Sequence, residues 1–299
     1  MTPSPSGDRG SLLHRAPPEF LFVLSAAAQY SGAVVAVDLF DRASPVLVAW
    51  VRVLAAGAIL TAFSVRRMRT SPWTRHDLLW AGCFGLTTGL MNTFFYLAIE
   101  RLPLGKGVTI EFIGPITVAA LRTKSLRNSM ALALVAGGVV VLGGVELGNE
   151  PLGLFYIVLA SLAWAGYIVL GSRVAMADRG VGGLGVGLLI GAAVLAPAGI
   201  ASLPGTVDLV SVLVLAALVG LLSSAIGYGI DQSVMRRIPV RRFSVMLALL
   251  PVTAAVFGFL FLGQSPTAID LVGMVLVLAG VALQERDVRE RHPQEAETP

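Results

Sequence analysis

Glu111 and Pro115 stand four residues apart in an otherwise apolar run, and that spacing sets up chemistry. Proline has no N–H to give to the carbonyl four residues earlier. The freed carbonyl is that of Glu111 itself. One helical turn would then hold a titratable carboxylate beside an unpaired backbone acceptor. Away from water both need partners: a cationic amine, a proton, a water molecule or a neighbouring arginine. The bland alternative is a structural Glu111 paired with Arg52 or with a helix end.

Arg52 is the matching positive charge inside another apolar run. Its planar fork could grip a carboxylate, neutralise Glu111, or reach to a membrane interface. Asn92 and Tyr96 are spaced i and i+4, which places both on one helix face. Gln29 with Tyr30, and Trp164 with Tyr167, offer further amides and rings for a cavity wall, though packing or interfacial roles suit the rings equally. Tyr228, Asp231 and Gln232 close a later run, where Asp231 reads as a solvated helix-end charge.

Other chemistries are missing their residues. His14, His76 and His292 lie in tails or a loop, and Cys83 is the only cysteine, so no metal site and no cofactor is expected. Cys83 reads as a packing residue. The phosphate-binding G-x-x-x-x-G-K-[ST] signature is absent, and no buried Ser–His pair suggests a nucleophile. A membrane enzyme would need a buried catalytic pair and a sensor an output domain; neither is visible, so an enzyme is not expected.

The elements that must position these residues follow from composition. Of 299 residues 56% are hydrophobic and only 13% charged, against roughly 25% charged in soluble domains. A bilayer core takes about 20 apolar residues as helix. That ruler gives ten spans, at 20–37, 45–64, 77–98, 104–121, 129–146, 152–172, 183–202, 209–230, 240–262 and 268–284. Residues 1–18 read as a disordered tail and 286–299 as a charged one. With ten spans, 18 of the 22 basic residues fall on one side and three, including Lys106, on the other. That bias puts both termini of a multi-pass membrane protein in the cytoplasm. The basic residues come in short clusters between spans, which speaks for a lipid partner and against nucleic acid.

Two stretches repeat. Residues 100–120 read E-R-L-P-L-G-K-G-V-T-I-E-F-I-G-P-I-T-V-A-A, and 236–255 read R-R-I-P-V-R-R-F-S-V-M-L-A-L-L-P-V-T-A-A. Pro103 and Pro115 map onto Pro239 and Pro251 at an offset of 136. Five spans per copy is an odd number, so the second copy would enter the membrane upside down. The expected fold is an all-α integral membrane protein of ten transmembrane helices in a 5+5 inverted-topology repeat, with halves at 19–148 and 149–285. The four prolines, with Gly114 beside Pro115, are the candidates for kinks and gates; most of the 33 glycines read as packing or loop positions.

The core P-L-G-x-x-V-x-x-E-F-x-G-P resembles the EamA-type drug/metabolite transporter superfamily. Residues 89–120, with L-A-W-A-G-Y-I-V-L-G-S-R at 162–173 and F-L-F-L-G-Q-S-P-T at 259–267, are similar to its threonine/homoserine exporter branch. It departs from that branch at Leu250, where the resemblance leads one to expect an acidic residue before Pro251. The resemblance implies a secondary-active exporter of small amino acids or related metabolites working by alternating access, with protons as one candidate driving ion. Glu111 would then bind the proton or the substrate amine. A multidrug exporter of cationic compounds from the same superfamily is the alternative, but only 7% of residues are aromatic, few for a cation–π surface. A monomer and a homodimer are both compatible with these features.

Overall fold

Several apolar runs that begin at proline or at a capping residue become helices. The structure, a computed structural model, describes residues 17–68, 73–122, 126–176, 180–203, 209–235 and 249–283. Most of the N-terminal tail, the C-terminal tail, and the basic stretch with Pro239 lie outside the described residues. Every regular element within them is helical. In order these are α1 (Pro18–Leu39), α2 (Pro45–Met68), α3 (Arg75–Ile99), α4 (Leu104–Glu111), α5 (Ile113–Arg122), α6 (Leu126–Asn149), α7 (Pro151–Met176) and α8 (Gly180–Ala201). Then come α9 (Leu209–Val219), which runs through a π-helical segment (Gly220–Gly227) into α10 (Tyr228–Met235), and finally α11 (Leu249–Leu262) and α12 (Ala268–Leu283).

Taking α4 with α5 and α9 with α10 as single runs, ten helical runs stand where ten spans are expected. Among the described residues, six stretches are individually long and apolar enough to cross a membrane: Phe20–Leu39, Pro45–Val65, Arg75–Ile99, Pro151–Gly171, Gly182–Ala201 and Leu209–Asp231. Three more apolar helices are shorter: Ser129–Leu142, Leu250–Leu262 and Ala268–Gly280. The remaining run is interrupted at Phe112, between α4 and α5. That break lies three residues before Pro115 and follows from its missing donor.

Local rules set the ends. Prolines 18, 45 and 151 open α1, α2 and α7, where a lost N–H is harmless. Thr74 and Asp77 form a capping box on α3, and Thr267 with Asp270 caps α12 in the same reciprocal way. Gly263 ends α11 with φ of 64°, a backbone region other residues enter only with strain.

Small residues bring the helices together. On α3, Ala81 and Gly85 meet Gly187 and Gly191 of α8, and Gly89, one turn further on, meets the Leu195 side chain. A Cβ on Gly85 would overlap the Gly187 carbonyl, so the two backbones touch directly. Gly114 has a related duty: a Cβ there would run into the Ser161 carbonyl of α7. Around the outside, Phe63, Phe155, Leu162, Phe259, Leu260 and Phe261 are exposed apolar residues, as a lipid-facing surface requires.

The principal helix pairs are α2 with α8, α3 with α7 and α8, α6 with α12, α4 with α11, and α1 with the π segment. One pairing corrects the sequence reading. Lys106, counted from sequence with the basic residues on the outer side, is buried in the first turn of α4, with Nζ 2.9 Å from Oδ1 of Asp270 on α12. Nearby, the Leu104 N–H donates to Gln264 Oε1 at 2.9 Å. Together these two contacts pin the start of α4 to the α11–α12 connection.

Candidate functional site

Arg52 is the centre of a buried polar cluster. It rises from α2 and is only 5% exposed. Its Nε–H donates to Ser224 Oγ at 2.9 Å, Nη1 to Tyr96 Oη at 2.7 Å, and Nη2 to Tyr228 Oη at 3.3 Å. The guanidinium also lies 5.1 Å from the Tyr96 ring centre and 5.9 Å from that of Tyr228. Tyr228 in turn donates to Asn92 Oδ1 at 3.4 Å, while Asn92 Nδ2 donates to the Thr88 carbonyl at 2.7 Å. Every one of these partners is neutral. A guanidinium has five N–H donors, and three are engaged here. The charge is held in place but not neutralised.

The π segment is why Arg52 has this company. A π turn widens the helix and alters which side chains face inward. It brings Ser223 and Ser224 to buried positions and packs against both α1 and α2. Its glycines permit the approach: a Cβ on Gly220 would sit 2.5 Å from the Arg52 carbonyl.

Glu111 closes α4 at the Phe112 break and is 7% exposed. No ion pair joins it to Arg52, and among the described residues it has no hydrogen-bonded partner. The two charges nonetheless feel each other, and Tyr30 and Tyr228 feel Glu111. Beside it, Phe112 meets Trp164 edge-on at 5.2 Å. Tyr167 lies 5.0 Å from Phe84 and 6.2 Å from Tyr228 between ring centres. A buried cation and a buried carboxylate with no ion pair between them are groups that a molecule carrying both opposite charges could engage.

A second cluster joins α1 to α10. Ser25 Oγ lies 2.6 Å from Asp231 Oδ1, and Gln29 Nε2 donates to Asp231 Oδ2 at 3.0 Å. Asp231 is therefore no solvated helix-end charge; it is partly buried and held by neutral donors because α1 packs across it.

Of the residues singled out from sequence, Arg52, Asn92, Tyr96 and Tyr167 come together through Tyr228. Trp164 lies beside the Glu111 turn. Gln29 belongs to the Asp231 cluster instead. Pro103 caps α4, Pro115 lies in α5 and Pro251 in the first turn of α11. The sequence reading missed Ser224 and the roles of Tyr228, Ser25 and Asp231. A signal for Tyr228 existed: it is 136 residues from its partner Asn92, the offset of the repeated prolines.

Comparison with known proteins agrees with this architecture. The EamA-like transporter family matches twice, over residues 17–147 and 151–284. The threonine/homoserine exporter RhtA of Salmonella typhimurium is 31% identical over 281 residues, 93% of this chain and 94% of that protein. The protein of the same name from Escherichia coli is 31% identical over 266 residues, covering 88% of this chain and 89% of its own. A solved crystal structure at 20% identity superposes with a TM-score of 0.61, over 89% of this chain and 95% of that one, and so shares the fold. The chain belongs to the EamA-like transporter family.

Proposed function

We propose that this membrane protein exports small zwitterionic amino acids of the threonine and homoserine type across the bacterial inner membrane. The observation that carries the reading is the pair Arg52 and Glu111: both buried, of opposite sign, and not joined to each other. Buried unpaired charges are expensive. An α-amino acid cancels both at once, its carboxylate on Arg52 and its ammonium on Glu111. Identity of 31% along nearly the whole length to exporters of threonine and homoserine supports the same substrate class.

Transport proceeds by alternating access between two inverted five-helix repeats, with both termini in the cytoplasm. The packing supports a twofold relation. Exchanging the halves leaves the pairs α2–α8, α4–α11 and α6–α12 unchanged, and turns α3–α7 into the pairing of α1 with the π segment. The Asn92–Tyr228 hydrogen bond joins residues one repeat apart, as expected of groups next to such an axis. The break at Phe112 and the π turn flank the charges, so each half contributes an irregular helix where backbone can rearrange. Untargeted comparison of culture media tests the assignment. Threonine or homoserine should be enriched several-fold outside cells overproducing the protein relative to cells lacking the gene. Media with no difference in any small amino acid would contradict it.

A further inference from the structure

We propose that Asp231, with Ser25 and Gln29, forms a proton-binding site separate from Arg52 and Glu111, and that its proton is exchanged for the exported amino acid. The coupling half of this statement rests on the exporter reading above; the proton site itself does not.

The geometry carries partners for both protonation states. Ser25 has one hydroxyl proton and two acceptors within reach: Asp231 Oδ1 at 2.6 Å and the Gly227 carbonyl at 2.9 Å. With Asp231 ionised, Ser25 donates to Oδ1 while Gln29 Nε2 donates to Oδ2 at 3.0 Å. With Asp231 protonated, its new O–H at Oδ1 donates to Ser25 Oγ, and the serine proton turns to Gly227. Neither state leaves a polar group of the trio stranded, so the proton can come and go without prying α1 from α10. The step moves one proton between water and Oδ1, changes the charge by one, and breaks no other bond.

A proton suits this site better than a metal ion. Gln29 Nε2 stands 3.0 Å from both Asp231 Oδ2 and Ser25 Oγ. An N–H donor therefore fills the place from which a cation would have to reach those oxygens. Among the described residues, the titratable groups that feel Asp231 are Tyr30 on α1 and Tyr228 on its own run. Its hydrogen-bond donors from α1 are Ser25 and Gln29. Among the described residues no Lys, Arg or His forms an ion pair with it. Asp231 ends the span Leu209–Asp231 and is only partly buried. That same run holds Ser224 and Tyr228 against Arg52, which links the proton site mechanically to the substrate charge.

The test uses the full-length protein in liposomes with the membrane potential clamped at zero. A pH difference of one unit can sustain about tenfold accumulation when one proton exchanges per substrate. Wild type should approach that ratio for labelled threonine, and Asp231→Asn should stay at about onefold, whatever its rate. An acid-minus-alkaline infrared difference spectrum should show a carboxylic C=O band that Asp231→Asn removes. Tenfold accumulation by Asp231→Asn, or an unchanged band, overturns the proposal. If wild type moves no amino acid even down a gradient, the exporter reading fails, and the infrared band alone decides on Asp231. Should Asp231→Asn not assemble, Ser25→Ala replaces it: loss of the relay hydroxyl should shift the band, and an unshifted band overturns the site.

Discussion

Glu111→Gln is expected to abolish export while the protein still accumulates in the membrane. The substitution keeps shape and volume and removes only the charge. Glu111 has no ion pair or hydrogen bond to lose among the described residues. A neutral amide at a 7% exposed position is, if anything, easier to bury than a carboxylate. What disappears is the counter-charge for the substrate ammonium. A buried charge pair deprived of one member loses about 2–5 kcal/mol. That is about thirtyfold or more in transport at limiting substrate. The check pairs initial release rates with the amount of protein in the membrane fraction. Export at the wild-type rate would remove Glu111 from the site.

Arg52→Lys is expected to be nearly as damaging, although it keeps the positive charge. A single ammonium can point its three donors, but it cannot hold the flat fork that reaches Ser224, Tyr96 and Tyr228 together. Nor can it present two parallel N–H groups to a carboxylate. Tyr96 is completely buried, and its hydroxyl would lose its charged donor. Stability should fall by about 1–3 kcal/mol, and export about tenfold or more. Thermal unfolding of the purified protein, read beside export by the same variant, separates the two losses. Full activity in Arg52→Lys would mean that the site needs only a point charge.

Much of the scaffold was legible because lipid imposes one rule: long apolar runs must be helices. The interruption at Phe112 was legible too, since Pro115 withdraws a donor from one known carbonyl. Less visible was anything set by contact between distant segments. Asp231 looks like a helix-end charge until α1, more than two hundred residues earlier in the chain, lays Ser25 and Gln29 over it. Lys106 looks like one more basic residue at the outer side until α12 brings Asp270 against it. The π turn has no proline to announce it; tight glycine contacts of Gly220 and Gly227 with α2 and α1 accompany it. Even Arg52 and Glu111, both prominent in the sequence, could have formed a plain structural pair. Their separation, each in its own surroundings, is the fact that only the fold supplies.

The central claim is that these two charges together receive a zwitterion. Efflux of labelled threonine from liposomes containing the purified protein tests it most directly, with competitors added one at a time. The account predicts saturable efflux that homoserine inhibits, and that neither the N-acetylated amino acid, which lacks the ammonium, nor the amino-acid amide, which lacks the carboxylate, inhibits. Efflux no faster than from protein-free liposomes, or efflux blocked equally by large organic cations with no carboxylate, would contradict it.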